Sequence, residues 1–246
     1  MAYTGTNSIV YSQSFIGNLN PTVFTGSEPA LSTLNAITSL MLNAPLTWPW
    51  NRIVLTQTLT AGQQDYIVSS ANFGFLEKCS VSFTTGSPAV TTGPFELQDV
   101  INTKPLGLTS QRGRPSAIAV QSSIPGTSVT FRFSPAPDQA YSAVMTCQKA
   151  PYFWTATTKD WFSDAGIPYS MIDVFNPLFL SEAFQFSNDA ERAMQYRQRG
   201  MAALLSKQEG LTQMQKSEIM GQWLTDDLQR LAAQLRAQTT QQARTV

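Results

Sequence analysis

Histidine is absent from this chain of 246 residues. Its absence removes the Ser-His and Cys-His nucleophile pairs and most zinc sites, which depend on imidazole. The sequence also lacks a Gly-rich phosphate loop with its lysine, an EF-hand ligand ladder and a GxSxG element. Carboxylate pairs such as Asp65 with Glu77, or Glu96 with Asp99, could hydrolyse a glycoside without histidine, but no local signature supports either pair. We therefore predict no enzymatic activity, no catalytic residue, no metal and no cofactor.

Charge is also scarce. Charged residues make up 13% of the chain, with 16 basic and 16 acidic side chains, against roughly 25% in an average soluble domain. A surface this poor in charge is a solubility risk for a free monomer, and neighbouring subunits would remove that risk by covering it. The sequence contains no cluster of Lys and Arg, so we do not expect sequence-specific DNA binding. Composition therefore favours a component of an assembly.

Long hydrophobic runs and cysteines are few. No apolar run approaches the roughly 18 residues needed to span a bilayer, and the N-terminus has no basic region of the kind that opens a signal peptide. We expect neither a membrane partner nor a targeting signal. Cys79 and Cys147 are too far apart for a CxxC site. We interpret them as reduced thiols buried in strands, with a disulfide as the alternative.

The N-terminal part of the chain divides into an arm and a helix. Residues 1–27 carry no charge and combine Ser, Thr, Asn and Gly with scattered aromatics. A free disordered tail is normally charged and poor in aromatics, so we predict an extended arm lying along a surface. A helix follows, capped by Ser27 and ended by Pro45. Its apolar residues recur at helical spacing, namely Leu31, Leu34, Ile37 or Thr38, and Met41.

Two tryptophans around a proline come directly after this helix. Trp48, Pro49 and Trp50 are predicted to form a hydrophobic plug at a helix-sheet junction. If Trp50 is such a buried plug, its replacement by alanine should cost about 3–5 kcal/mol.

The region from Arg52 to about Cys147 is predicted to be β-structure. The segments "RIVLTQTL" and "QDYIV" are rich in β-formers and flank "TAGQQ", where Gly62 suits a hairpin turn. The segments "CSVSF" and "SVTFRFSP" alternate apolar and polar residues. Six or so short strands with Gly and Pro turns indicate an antiparallel sandwich or small barrel.

After about residue 168 the pattern becomes helical again. Asn188 with Glu191, and Thr212 with Gln215, have the spacing of capping boxes. A short heptad-like seam then follows, formed by Leu224, Leu228, Leu231 and Leu235. The fold class is therefore α+β, a helical bundle from N- and C-terminal helices with an inserted antiparallel β-sandwich or barrel. The predicted division is an arm (1–27), a bundle (28–51 and 168–238), a β-domain (52–167) and a C-terminal tail (239–246).

Two local groups leave alternatives open. Arg112 and Arg114, in "SQRGRP", could face a nucleic-acid backbone or an acidic neighbour, or could be two solvated arginines on an exposed loop. The aromatics of "PYFWTATTKDWF" could form a carbohydrate platform, but a core or subunit contact is favoured.

The order of these parts resembles the head-to-tail adaptor proteins of tailed bacteriophages, also called connector or tail tubular protein A-like proteins. The resemblance is carried by the Trp-Pro-Trp-Asn element after the first helix, by "TAGQQDY", "NFGFLEKCSVSF", "RPSAIAVQ" and "VTFRFSPAPDQAYSAVMTCQKAP", and by "SEAFQFSNDAERAMQYRQRGMAALL". It covers roughly residues 28–210. Residues 1–27 have no obvious counterpart in that pattern, and the last helix, with its Leu seam, is more extended than the pattern implies.

The resemblance implies a function and partners. Copies, usually twelve in that family, would form a ring in the neck or tail of the virion, assembled in the host cytoplasm. The ring would join the portal protein to the next tail component, a nozzle or a tail tube, and DNA would pass through its lumen as cargo. Residues near the C-terminus would contact the portal; the candidates are Leu228, Leu231, Leu235, Arg236, Arg244 and Val246. Loops near residues 86–94 and 107–115 would face the ring or the tail, with the candidates Thr92, Gly93, Arg112 and Arg114.

Two other functions remain open from the residues themselves. The chain could be another tail, neck or minor capsid component of similar composition. It could also be a carbohydrate- or receptor-binding β-module, in which case exposed aromatics should line one groove.

Overall fold

The structure of the protein is a computed structural model that describes residues 3–16, 28–83, 90–92, 112–187, 189–225 and 229. The chain divides into two compact units: Met1–Met41 with Tyr152–Val246, and Leu42–Pro151. The first unit is helical and the second is built of strands. The α+β class is confirmed, with helices towards both ends and strands inserted between them.

The β-unit consists of two antiparallel sheets. Sheet 1 has the order β1-β7-β3-β4 and sheet 2 the order β2-β6-β5. The strands are β1 (Arg52–Leu59), β2 (Asp65–Ser69), β3 (Phe73–Phe83), β4 (Val90–Thr92), β5 (Ala117–Ile124), β6 (Ser128–Ser134) and β7 (Tyr141–Lys149).

Both sheets contribute side chains to one core, as expected for a sandwich. The alternation in β6 places Val129, Phe131 and Phe133 in this core at 0% exposure. Cys79 and Cys147 face the same core from sheet 1 and form no disulfide with each other. Burial raises the pKa of Cys147 to about 12. The expectation of two reduced, buried thiols is confirmed.

The predicted hairpin at Gly62 is wrong. Strands β1 and β2 lie in different sheets, so the turn between them crosses from one sheet to the other. Gly62 has a positive φ of 82°, which suits glycine. The hydroxyl of Tyr66 accepts a hydrogen bond from the Thr60 amide (2.8 Å) and donates to the Gln63 carbonyl (3.0 Å). Tyr66 is itself buried in the shared core, so burial of this side chain in the sandwich directs the chain into the second sheet.

The helical unit contains six described helical segments of four or more residues. They are α1 (Gly5–Phe15), α2 (Ala30–Leu42, whose last residue belongs to the other unit), α3 (Trp161–Ala165), α4 (Ile172–Phe186), α5 (Ala190–Ser206) and α6 (residues 213–225). Helices α4 and α5 pack closely at Gly200, where a Cβ atom would lie 2.7 Å from Leu178 side-chain atoms. The Ser181 hydroxyl donates to the Ala193 carbonyl (2.7 Å), and Arg197 pairs with Glu182 at 2.9 Å.

The predicted extended arm contains a helix, α1, so this prediction is wrong for residues 5–15. Asn7 accepts hydrogen bonds from the amide (3.3 Å) and hydroxyl (2.6 Å) of Thr4 at the start of the helix. Ser8 and Ser12 are completely buried, and the helix packs against α4. Serine is a modest helix former, and tertiary packing supplies the stability that its propensity lacks.

The helix starts predicted further along the chain agree with the structure in part. Thr212 and Gln215 form the predicted capping box: the Gln215 amide donates to the Thr212 hydroxyl (3.3 Å), and the Gln215 side chain accepts from the Thr212 amide (3.0 Å). Helix α5 is instead capped by Asp189, whose carboxylate accepts from the Arg192 amide (3.1 Å). Asn188, the predicted cap, lies outside the described residues.

Residues 152–167 lie in the helical unit, although they were predicted to belong to the β-domain. The side chain of Asn35, in α2, explains this placement. It donates to the Trp154 carbonyl (3.1 Å) and accepts from the Trp154 amide (2.9 Å). Conversely, the unit boundary falls after Met41, so residues 42–51 belong to the β-unit rather than to the bundle.

Candidate assembly surfaces

The Trp-Pro-Trp element has one buried and one half-buried tryptophan. Pro49–Asn51 form a short 3₁₀ turn. Trp48 is 3% exposed and stacks on Trp50, with ring centroids 5.5 Å apart. The loss of about 3–5 kcal/mol predicted for Trp50→Ala therefore applies to Trp48→Ala, because Trp50 remains partly exposed to solvent.

A buried glutamine ties Trp48 to sheet 1. The side chain of Gln148, at 0% exposure, accepts a hydrogen bond from the Trp48 amide (3.1 Å) and donates to the Trp48 carbonyl (3.2 Å). Its amide nitrogen also donates to Glu77 Oε2 (2.9 Å). Beside it, the Asn51 side chain donates to the Lys149 carbonyl (3.1 Å). These bonds replace the hydrogen bonds to water that buried polar groups lose.

Glu77 completes this network through a bidentate pair with Arg52. The Arg52 Nε atom lies 2.7 Å from Glu77 Oε2, and the second contact joins Arg52 NH2 to Oε1. Burial raises the pKa of the Glu77 carboxyl, but the hydrogen bonds from Arg52 and Gln148 and the charge of Arg52 outweigh that effect. The net pKa therefore lies below the ordinary 4.5.

The lowered pKa of Glu77 predicts a pH dependence of stability. A carboxyl whose pKa is lower in the folded than in the unfolded chain stabilises the fold fully above its unfolded pKa, and that contribution is lost as the pH falls. We expect Glu77→Gln to lower the free energy of unfolding by about 1–2 kcal/mol at neutral pH, because Arg52 is partly exposed and the pair is screened. This difference from the wild type should shrink as the pH falls below 4.5.

Urea titrations at a series of pH values measure this difference. The matched control is Glu209→Gln, which removes an exposed carboxylate and should have little effect at any pH. A deficit in Glu77→Gln that does not change with pH would contradict the proposed role of the Glu77 charge.

The outward side of sheet 1 is nearly uncharged. We define the sheet-1 face by residues of the three long strands: Arg52, Val54, Thr56 and Thr58 on β1; Ser142, Val144 and Thr146 on β7; and Lys78, Ser80 and Ser82 on β3. The strand registers pair these positions laterally. Val54 is 62% and Val144 37% exposed. Among these described residues the charged side chains are Lys78 and Arg52, and the Glu77 carboxylate pairs with Arg52 at one end of the face.

Sequence reasoning did not single out this face. The signal is present in "RIVLTQTL", where Val54 stands among the polar Thr56 and Thr58 rather than with Ile53 and Leu55. An apolar residue on the polar side of an alternating strand is a weak signal, because single exposed hydrophobics are common. Register with β7 and β3 is needed to show that its neighbours are also uncharged.

Arg112 and Arg114 have different environments. Arg112 is exposed and forms an isolated bridge with Ala136. Arg114 is half-buried; its guanidinium donates to the Val81 carbonyl and lies 5.3 Å from the centroid of the Phe83 ring. The interpretation of two solvated arginines is therefore wrong for Arg114, which stabilises the β-unit. Thr92 ends β4, and Gly93 lies outside the described residues.

The aromatic segment after β7 is split between core and surface. Trp154 and Phe162 are 2% and 1% exposed and belong to the interior. Tyr152 and Phe153 are exposed at 45% and 60%. The interior position of Trp154 and Phe162 agrees with the favoured core contact and leaves these two rings unable to act as a carbohydrate platform.

Asp65 and Glu77, the two described carboxylates among those considered for catalysis, serve in separate ion pairs. Asp65 forms a bidentate pair with Arg132, at 2.7 and 2.6 Å, across the β2-β6 register. Glu77 is bound to Arg52. Glu96 and Asp99 lie outside the described residues. Within the part of the chain that the structure describes, no group of three or more His, Cys, Asp or Glu side chains is placed to hold a metal, and no helix is long and apolar enough to cross a bilayer.

The candidates for portal contact lie outside the described residues: Leu228, Leu231, Leu235, Arg236, Arg244 and Val246. The described part of α6 extends from residue 213 to residue 225.

The architecture consists of two units, with a β-sandwich inserted in the sequence between helical segments. Residues 33–223 match the model of the SU10 adaptor protein family. This match spans most of the chain, including the whole β-unit and part of the helical unit, and the chain belongs to the SU10 adaptor protein family. It is a structural adaptor protein of a phage, as the sequence resemblance indicated, and the family implies a place in the virion neck. A comparison with curated proteins gave no match.

Proposed function

We propose that copies of this protein form a ring that joins the portal to the next tail component and lets DNA pass through its lumen. Membership of the SU10 adaptor protein family is the observation that carries this proposal. The low charge of the chain, 13%, supports it, because a ring subunit is covered by neighbours on both sides. Twelve copies, assembly in the host cytoplasm and a nozzle or tail tube as the next component are part of the proposal.

The sheet-1 face is the proposed contact between copies. It is a three-strand surface of threonine, serine and valine with one charged side chain, Lys78, that has no ion pair within the described residues. Depletion of charge is typical of the buried centre of a protein interface. Arg112 and the loops beside it, with Thr92 and Gly93, are proposed to face the ring or the tail. The stacked tryptophans Trp48 and Trp50, with Pro49, are proposed to be structural residues of the segment that connects α2 to β1.

The C-terminal residues are proposed to contact the portal. Deleting residues 239–246 should weaken binding to the portal at least about tenfold, equivalent to about 1.4 kcal/mol. The thermal unfolding of the protein should not change. A variant carrying the same eight residues in scrambled order is the matched control for chain length and composition. Unchanged binding by the deletion variant would remove these residues from the portal contact.

The native mass of the purified protein, alone and after mixing with the portal protein of the same genome, tests the proposed function. We expect a stoichiometric ring of copies on the portal. A protein that does not bind the portal would point instead to another neck, tail or minor capsid component.

A further inference from the structure

Two neighbouring cavities lie on the helical unit between α1, α4 and α5. One has a volume of about 460 Å³ and the other about 420 Å³, and both are lined by Tyr11 and Asn176. We call the larger cavity and its extension along α1 the tyrosine groove. Its walls are dominated by phenol rings and cationic side chains, namely Tyr11, Tyr169, Tyr196, Arg199 and Lys207 around Asn176.

The groove is rigid on one side. Tyr196 stacks on Phe184, with ring centroids 5.4 Å apart, and both Tyr11 and Tyr196 pack against the buried cluster around Leu180. Asn176 accepts a hydrogen bond from the Tyr3 hydroxyl (2.6 Å). A ligand would therefore meet ordered aromatic walls, which lose little conformational entropy on binding.

The groove contains a guanidinium and two phenol hydroxyls that can donate hydrogen bonds to a ligand. Arg199 is exposed, and within the described residues its guanidinium has no hydrogen bond or ion pair. The hydroxyls of Tyr11 and Tyr196 donate to no group in that same part of the chain. Lys207 is bound to Asp173 at 3.1 Å. Burial and the neighbouring Tyr196 raise the pKa of Tyr11, so Tyr11 stays a donor at neutral pH.

We propose that the tyrosine groove binds an acidic peptide segment of a partner protein, with a carboxylate on Arg199 and apolar side chains against Tyr11 and Tyr196. Tyrosine and arginine are the residues most enriched at the energetic centres of protein interfaces. Arginine also binds carboxylates through paired, charge-assisted hydrogen bonds. This inference deepens the proposed function, on which it rests for the existence of neck partners.

A peptide fits the groove better than nucleic acid does. The carboxylate of Asp173, 61% exposed, lies in the same wall and pairs with Lys207 at 3.1 Å, which leaves Arg199 to bind a single carboxylate of the peptide. The same carboxylate can accept a backbone N–H of a bound peptide. Arg199 and Lys207 are also too few to form the extended cationic track typical of nucleic-acid binding.

A peptide array tests the groove with the full-length protein. The probes are immobilised peptides about 15 residues long that tile the portal protein, the next tail component and this chain itself, with short duplex DNA as a further probe. We expect binding to acidic peptides that contain aliphatic or aromatic residues. Arg199→Glu should weaken that binding at least about tenfold. Lys159→Glu, the same charge reversal at an exposed position outside the groove, should leave it unchanged.

Three results would overturn the proposal: no acidic peptide bound, the same peptides bound equally well by Arg199→Glu, or binding of duplex DNA alone. Circular dichroism shows whether each variant is folded. Both substitutions are at exposed positions, so we expect both variants to fold. The array requires neither a ring nor a portal complex. A negative array with a positive native-mass result would therefore reject the groove and keep the adaptor function.

Discussion

Replacing Trp48 with alanine is expected to lower the free energy of unfolding by about 3–5 kcal/mol, the usual cost of removing a large buried aromatic. Trp48 is 3% exposed, so its removal leaves a cavity at the edge of the β-unit. Trp50→Ala is the matched control. Trp50 is half-buried and its loss should cost about 1–2 kcal/mol.

The hydrogen bonds beneath Trp48 contribute separately. Gln148→Leu keeps a similar side-chain volume but removes the two bonds to the Trp48 backbone and the bond to Glu77. We expect this change to cost about 2–4 kcal/mol, because buried polar groups lose partners that water cannot replace. Urea titrations followed by far-UV circular dichroism are the measurement, since fluorescence would change with the tryptophan itself. Equal losses for Trp48→Ala and Trp50→Ala would contradict the assignment of Trp48 as the buried member of the pair.

Replacing Val54 with lysine is expected to weaken the association of copies. Val54 is 62% exposed, so the folded subunit should tolerate the change with little loss of stability. If the sheet-1 face is covered by another copy, the lysine places a charge in a region where it has no partner, and desolvating that charge is costly. We expect the apparent dissociation constant of the ring to rise at least about tenfold.

Ile67→Lys is the control for this experiment. Ile67 is 72% exposed and lies on β2, in the other sheet, so the same chemical change is made away from the sheet-1 face. Native mass over a range of protein concentrations, with and without the portal protein, measures association. Normal assembly of Val54→Lys, or disruption by Ile67→Lys alone, would show that the copies meet through a different surface.

Local patterns in the sequence determined the elements and the class of protein. Alternation in "SVTFRFSP" predicted the buried face of β6, and the spacing of Leu31, Leu34 and Met41 predicted the buried stripe of α2, which the structure confirms. Thr212 and Gln215 predicted the start of α6, and the hydrogen bond between them joins residues only three positions apart. These signals are readable because each depends on neighbours in the chain. The order of the elements was sufficient to suggest the adaptor family.

Only the tertiary structure decided what depends on distant residues. Ser8 and Ser12 form a buried helix face because α1 packs against α4. The serine-rich sequence does not predict this contact. Gln148, 100 residues from Trp48 in the sequence, accepts a hydrogen bond from the Trp48 amide. This bond distinguishes the role of Trp48 from that of Trp50. The Arg114 guanidinium donates to the Val81 carbonyl and lies over the Phe83 ring, both on β3. In each case folding brings a residue that is distant in the sequence into contact. The interaction that stabilises the conformation therefore cannot be recognised in any local stretch of sequence.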